Sequence, residues 1–181
     1  MLVDPALADR FIAAYMGFLG TLLSDDEKRG KRPSQWLVLA RSRYLAQPAL
    51  LDAYRVDNPD ADGEILDAVA KLRVERWIYL KDTRSYSVWL DQDGQAGYGV
   101  LGLTERLRTI VGGSGVAIVG GLLPLQGRWV TDGLIEELVV LGPNYRRDFT
   151  ATYQDLRARD GFSLGPPDEQ AGVAKPVGMG P

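Results

Sequence analysis

The chain has 181 residues and contains neither cysteine nor histidine. Without cysteine it can form no disulfide, thiolate metal site, iron–sulfur cluster or cysteine nucleophile. Without histidine it lacks the commonest general base and the commonest transition-metal ligand, so a Ser-His-Asp triad is impossible. We therefore expect no metal and no other cofactor. An enzyme with this sequence would have to work with carboxylates, Lys, Tyr, Arg or an oxygen-ligated cation.

The chain also lacks a strong charge excess and a long hydrophobic run. It has 21 basic and 24 acidic residues, for a net charge of −3, which gives no global attraction to nucleic acid or to anionic lipid. The apolar run from Phe11 to Leu23 is well short of the roughly 20 residues that span a bilayer. The first ten residues carry Asp4 and Asp9 and no basic cluster, unlike a signal peptide. We expect a cytoplasmic protein with no membrane partner.

What the chain does contain is a glycine-rich stretch from Gly97 to Gly142, dense in β-branched residues and leucine. Turn dipeptides cut it at short intervals, a pattern typical of a tightly wound antiparallel sheet. Thr109 to Val111 is interpreted as part of a strand. Gly112 to Gly115 is interpreted as a hairpin turn rather than a phosphate-binding loop, because neither a Lys-Ser/Thr pair nor a helix follows it.

The first 72 residues show helical spacing instead. Asp4-Pro5 predicts the start of a first helix, with an N-cap aspartate and proline at the first helical position. Gly17 and Gly20 within this helix would permit close approach of a neighbouring helix or of a partner chain. A protein partner or a homodimer through the N-terminal helix is therefore left open.

Helices and strands that are segregated along the chain predict an α+β fold. We expect N-terminal helices (4–72) packed on a strongly curved antiparallel sheet or small β-barrel of six to seven short strands (73–142). A closing C-terminal helix (144–160) completes a single domain, 1–164, and the tail 165–181 is predicted to be disordered. Residues 134–141 suit either a strand or a helix. The Asp132-Gly133 turn and the Val139-Val140 pair favour a strand.

Six basic residues with no acid among them form a block early in the chain, which we call the basic block: Lys28, Arg29, Lys31, Arg32, Arg41 and Arg43. Such a block could bind a phosphate backbone or an acidic partner. Acidic residues precede it, and an acidic run from Asp57 to Asp67 could neutralise it in the fold. A solvated or internally paired face is the favoured interpretation.

A second set of candidates lies where the predicted strands end: Arg128, Trp129, Asp132, Tyr145, Arg146 and Arg147. Aromatic rings beside guanidinium groups could stack the bases of a single strand, although buried aromatics with flanking surface arginines give the same pattern. The nearby carboxylates could serve acid–base chemistry or hold a cation: Asp132, Glu136, Glu137 and Asp148. A strand would place Glu136 and Glu137 on opposite faces.

Three functions follow from these patterns. The first is a non-enzymatic binding or protein-interaction module, which a deep, carboxylate-lined pocket would count against. The second is a nucleic-acid-associated protein, which requires a contiguous positive surface. The third is a carboxylate-dependent hydrolase or small-molecule binder near Asp132 and Tyr145. For hydrolysis, this third function requires at least two carboxylates in one cleft.

Overall fold

The computed structural model describes residues 1–167, with the main chain alone at positions 137 and 138. Over this range the chain forms seven helices and seven strands, and the predicted α+β class is confirmed. The helices are α1 (Pro5–Thr21), α2 (Asp25–Lys28), α3 (Pro33–Ala46), α4 (Ala49–Asp57), α5 (Gly63–Ala70), α6 (Leu107–Ile110) and α7 (Pro143–Ala158). The strands are β1 (Arg73–Asp82), β2 (Ser87–Asp91), β3 (Gly97–Leu101), β4 (Val116–Leu125), β5 (Arg128–Thr131), β6 (Glu136–Val140) and β7 (Phe162–Ser163).

The first helix begins as the sequence predicts. The Asp4 carboxylate accepts hydrogen bonds from the backbone N–H groups of Ala6 and Leu7, which would otherwise be unpaired at the helix start. A Cβ atom at Gly17 would lie 3.2 Å from the hydroxyl of Tyr54. The close approach at Gly17 is therefore to α4 of the same chain, and a homodimer through α1 stays a prediction.

Five strands close into a barrel in the order β1-β2-β3-β5-β4, with β1 also paired to β4. Four of the five pairings are antiparallel, whereas β3 and β5 run parallel, so the sheet is mixed rather than antiparallel throughout. With α6 between β3 and β4, this is the strand order of the OB-fold, a five-stranded Greek-key barrel. Outside the barrel, β6 pairs with β4 and β7 pairs with β3.

Two local predictions in the glycine-rich stretch are wrong. Thr109 and Ile110 lie in the short helix α6 rather than in a strand, because Leu107 at its start is fully buried in the end of the barrel and anchors a single helical turn. The Gly112–Gly115 segment consequently links α6 to β4 and is not a hairpin turn. The preference for a strand within 134–141 is confirmed by β6.

The buried side chains form three clusters. The barrel interior is filled by aromatic and branched residues: Trp77, Tyr79, Trp89, Val100, Leu107, Val111, Val116, Ile118 and Leu122. A second cluster lies between helices α1, α3, α4 and α5 and one outer side of the barrel, and a third lies beneath α7. The barrel is thus covered by helices on two sides.

The closing helix predicted for 144–160 is confirmed as α7, and it covers the outer face of β1 and β2. On the neighbouring strand, Cβ atoms at Gly97 and Gly99 would overlap Phe162 and Leu164 respectively. Glycine at these positions therefore lets the C-terminal segment lie directly on β3. OB-fold barrels bind oligonucleotides on the face of strands 2 and 3, and here the protein's own α7 and β7 occupy that face.

Within residues 1–167, none of the helices combines the length and the apolar character needed to cross a lipid bilayer. The predicted tail begins at 165, and its residues 168–181 lie outside the described part of the chain.

Candidate functional site

A pocket of about 330 Å³ opens between α1 and the adjacent end of the barrel. Its walls are mainly apolar. They are formed by Ile12 and Met16 from α1, Leu37 from α3, and Leu103, Ile110 and Leu134 from the opposite side. Because Met16 and Ile110 are each 40% exposed, apolar side chains reach the mouth of the pocket as well as its depth. We call this the apolar pocket.

Asp132, which lines the apolar pocket, forms a buried ion pair with Arg41, a residue 91 positions away that does not itself line the pocket. Arg41 Nη1 donates to Asp132 Oδ2 at 2.9 Å and to the carbonyl oxygen of Leu134 at 2.6 Å. The two side chains are 2% and 0% exposed. The pair is thus removed from water, and it joins the helical layer to the barrel.

The local backbone explains why a carboxylate can be buried here. The backbone N–H groups of Gly121 and Leu134 both donate to Asp132 Oδ1 at 3.1 Å. The carboxyl group lies against Gly121, where any Cβ atom would overlap it. Gly133 then turns the chain with a φ of 79°, a left-handed conformation that suits glycine. Gly121 therefore leaves space for the Asp132 carboxylate, and Gly133 allows the tight turn that follows it.

Tyr15 supplies a fourth donor, its hydroxyl lying 3.4 Å from Asp132 Oδ2. Burial, together with the nearby Asp132 charge, raises the pKa of Tyr15 well above its ordinary value, so the phenol stays neutral. Its proton is directed to Asp132, and its oxygen can still accept a hydrogen bond. Four donors to one carboxylate match the number of lone-pair sites that a carboxylate offers.

The four hydrogen bonds to Asp132 limit the reactions that this carboxylate could catalyse in the apolar pocket. Asp132 has no free lone pair with which to accept a proton from a substrate. Glu136 Oε2 lies 3.3 Å from Arg41 Nη2, so both carboxylates are counter-ions of one guanidinium. Asp148, a further candidate, is exposed beside Arg147 on α7. In the described part of the chain, no three acidic side chains are grouped so that they could hold a metal ion.

The structure separates the residues predicted to lie around the strand ends. Arg146 donates to the carbonyl of Ser114, Tyr145 is 65% exposed, and Arg147 donates to Asn144. Over residues 1–167, no hydrogen bond or ion pair connects these three to Asp132.

Arg128 and Trp129 lie in yet another place, where β5 meets the C-terminal segment. Arg128 donates to the carbonyl of Leu164, and Trp129 Nε1 donates to Ser163 Oγ at 3.1 Å. Trp129 also borders an open groove of about 800 Å³ between α5 and the β4–β5 hairpin. The ring of Trp89 on β2 is fully buried inside the barrel and cannot stack a base.

The basic block does not form one exposed patch. Arg41 is buried and neutralises the buried carboxylate of Asp132. Its assignment to an exposed basic patch is therefore wrong. Arg29 pairs with Asp26, and Arg43 pairs with Glu27. Lys28 and Lys31 donate to backbone carbonyls, while Arg32 stands at the start of α3. These contacts agree with the internally paired interpretation.

One pKa in this region offers a direct test. Hydrogen bonds from Arg43 and from the Ser24 backbone lower the pKa of Glu27 from 4.5 to about 2. A lowered folded-state pKa adds stability above the unfolded-state value, and this stability is lost as the pH falls from about 4.5 through about 2. An NMR titration of the Glu27 carboxyl should show this low pKa, and Arg43→Gln should raise it. An unchanged value in that variant would contradict the assigned cause.

The sequence pointed to Asp132 but missed its partners. Nothing in the sequence distinguishes Tyr15 from the apolar residues around it in the first helix, and Arg41 was assigned to the basic block. No local signal links residues that lie 91 and 117 positions from Asp132. The Asp132-Gly133 turn was the one sequence feature that pointed to the site around Asp132.

No family model, no curated protein and no solved structure matches the chain.

Proposed function

We propose that the protein is a non-enzymatic binding module whose apolar pocket takes up a small, neutral, largely apolar molecule. The observation that carries this proposal is the pocket itself. Its volume of about 330 Å³ lies at the lower end of the ~300–1,000 Å³ range of small-molecule sites, and its walls are apolar with few polar groups. A compact ligand fits this space.

The polar groups of the pocket indicate what that ligand carries. Arg41 neutralises Asp132, and the other charged residue of the lining, Glu105, is exposed, so the buried part of the pocket attracts neither an anion nor a cation strongly. The hydroxyl of Tyr15 donates its proton to Asp132, and its oxygen can still accept a hydrogen bond. We therefore propose a ligand with an apolar body and one hydrogen-bond donor.

The saturated state of Asp132 supports binding rather than catalysis, because a general base must be free to accept a proton. The nucleic-acid alternative has less support. The face that OB-fold barrels use is occupied by α7 and β7, and the basic block is largely paired within the chain. No described feature favours it over the apolar pocket.

Indole is a suitable probe, because it is apolar, neutral and carries a single N–H donor. Titration calorimetry should show saturable binding at one site. Binding of 1-methylindole, which lacks the donor, should be weaker by roughly 2- to 10-fold, since a net hydrogen bond contributes about 0.5–1.5 kcal/mol. The comparison tests the Tyr15 acceptor separately from the apolar walls.

A pair of variants on α1 locates the site. Met16→Trp places a bulky ring at the mouth of the pocket and should weaken indole binding by about tenfold or more. Ala13→Trp adds the same ring at an exposed α1 position that does not line the pocket, and it should leave binding unchanged. Absence of saturable indole binding, or equal effects of the two variants, would overturn the proposal.

A further inference from the structure

A second pocket lies where the β1–β2 loop, residues 83–86, meets α6. It has a volume of about 620 Å³, and three arginines line it: Arg84, Arg106 and Arg108. All three are exposed. In the described residues none of them forms an ion pair with an acidic side chain. We call this the arginine pocket.

Outside the arginine pocket, some arginines of the described residues lie in ion pairs and others do not. Seven arginines of the described part pair with aspartate or glutamate: Arg10, Arg29, Arg41, Arg43, Arg55, Arg73 and Arg147. Acidic residues are therefore available in this protein, and the fold places them beside other arginines. The arginine pocket is therefore lined by three guanidinium groups that form no ion pair within the described residues.

One carboxylate, Asp82, also lines the arginine pocket. Asp82 Oδ2 is buried without a hydrogen-bond partner in the described residues. Its Oδ1 accepts from the hydroxyls of Tyr79 at 2.9 Å and Ser87 at 2.7 Å. Burial and the bond to Asp82 raise the pKa of Tyr79, which therefore remains a donor. Three arginines and one aspartate give the lining a formal charge of +2, in a chain whose net charge is −3.

The backbone that carries these arginines is fixed. In the β1–β2 loop, Thr83 Oγ1 accepts from the N–H groups of Ser85 at 3.1 Å and Tyr86 at 3.0 Å. On the other side, Leu107 lies between Arg106 and Arg108 and is fully buried in the barrel end. Local contacts thus fix both backbone segments that carry the arginines. This limits the backbone entropy that is lost when a ligand binds.

We propose that the arginine pocket binds a small phosphorylated molecule with two or more phosphate groups. Guanidinium groups donate bidentate, charge-assisted hydrogen bonds to phosphate oxygens, and several arginines around one site suit several phosphates. A single-stranded nucleic acid is the less suitable occupant, because α7 and β7 cover the outer face of β2 and β3, and Trp77 and Trp89 are buried. A strand would find no exposed platform for its bases there.

Calorimetric titration with inorganic tripolyphosphate tests this proposal. The double variant Arg84→Gln/Arg108→Gln should lose roughly tenfold or more in affinity, because two charge-assisted contacts are removed. The matched control is Arg76→Gln, an exposed arginine of β1 that does not line the pocket, and its affinity should equal that of the wild type. Wild-type binding should also weaken as the salt rises from about 50 to about 200 mM.

Further readouts keep the proposal separate from the one made for the apolar pocket. Because both substitutions are at exposed positions outside that pocket, the double variant should keep the wild-type unfolding temperature and bind indole normally. Absence of saturable tripolyphosphate binding, or an equal loss in Arg76→Gln, would overturn the proposal. Tighter binding of an oligothymidylate than of tripolyphosphate would also overturn it, in favour of a strand-binding surface.

Discussion

Replacing Asp132 with alanine should lower the free energy of unfolding by about 3–5 kcal/mol, the range found when one partner of a buried ion pair is removed. The substitution leaves the guanidinium of Arg41, which is 2% exposed, with Glu136 as its remaining counter-ion, and the side chain of Glu136 is 47% exposed. It also removes the acceptor of the Gly121, Leu134 and Tyr15 donors. Urea denaturation at pH 7, followed by circular dichroism, measures the loss.

Two further variants distinguish the stability effect of burying an ion pair from the effect of removing a charge. Arg10 pairs with Asp62 at 2.8 Å, but the side chain of Arg10 is 44% exposed. Arg10→Met should therefore cost far less than Asp132→Ala, because exposed ion pairs add little to stability. The double variant Asp132→Leu/Arg41→Met should be more stable than Asp132→Ala, since it leaves no buried guanidinium that has lost its buried partner. A loss for Asp132→Ala no greater than that for Arg10→Met would contradict the buried pair.

The elements with the strongest local signals were predictable. The N-cap aspartate and the proline marked the start of α1, and the sequence Asp91-Gln92-Asp93-Gly94 is a hairpin-turn signal that lies between β2 and β3. The change from helical to alternating spacing near Arg73 placed the boundary between helices and barrel. Each of these signals lies within a few residues of the structure that it specifies, because caps and tight turns depend on neighbouring backbone groups.

Features that depend on distant parts of the chain could not be predicted. Nothing near β3 indicates that β5 pairs with it in parallel, since that pairing follows from barrel closure. Helix α6 has four residues and one anchor, Leu107, which is too short a pattern to distinguish from a strand. Arg41 resembles its exposed neighbours in sequence, and only the fold sets it opposite Asp132.

The same distinction applies to the two pockets. The apolar pocket lies between elements that are far apart in sequence, and of its lining residues Asp132 alone was a candidate from the sequence. The arginine pocket combines residues from the β1–β2 loop with residues flanking and within α6. Each pocket depends on which loops meet at the barrel end, and barrel closure determines that.

Whether α7 is a permanent cover or a movable lid decides if the outer face of β1, β2 and β3 can bind a ligand. Leu156 of α7 is fully buried against this face, in a cluster with Ile78 and Leu90. A permanent cover should make its packing part of the global stability of the domain. A lid should open at little cost and expose the face to solvent.

Leu156→Ala should therefore lower the free energy of unfolding by about 2–5 kcal/mol, the usual cost of truncating a buried leucine. Tyr145→Ala, at a 65% exposed position of the same helix, should change it by no more than about 0.5 kcal/mol. Neither variant should gain affinity for an oligothymidylate, because α7 remains seated on the barrel in both. A loss below about 1 kcal/mol for Leu156→Ala, together with a gain in oligonucleotide affinity, would show that α7 is a lid. The face that OB-fold barrels use for single strands would then be available in this protein as well.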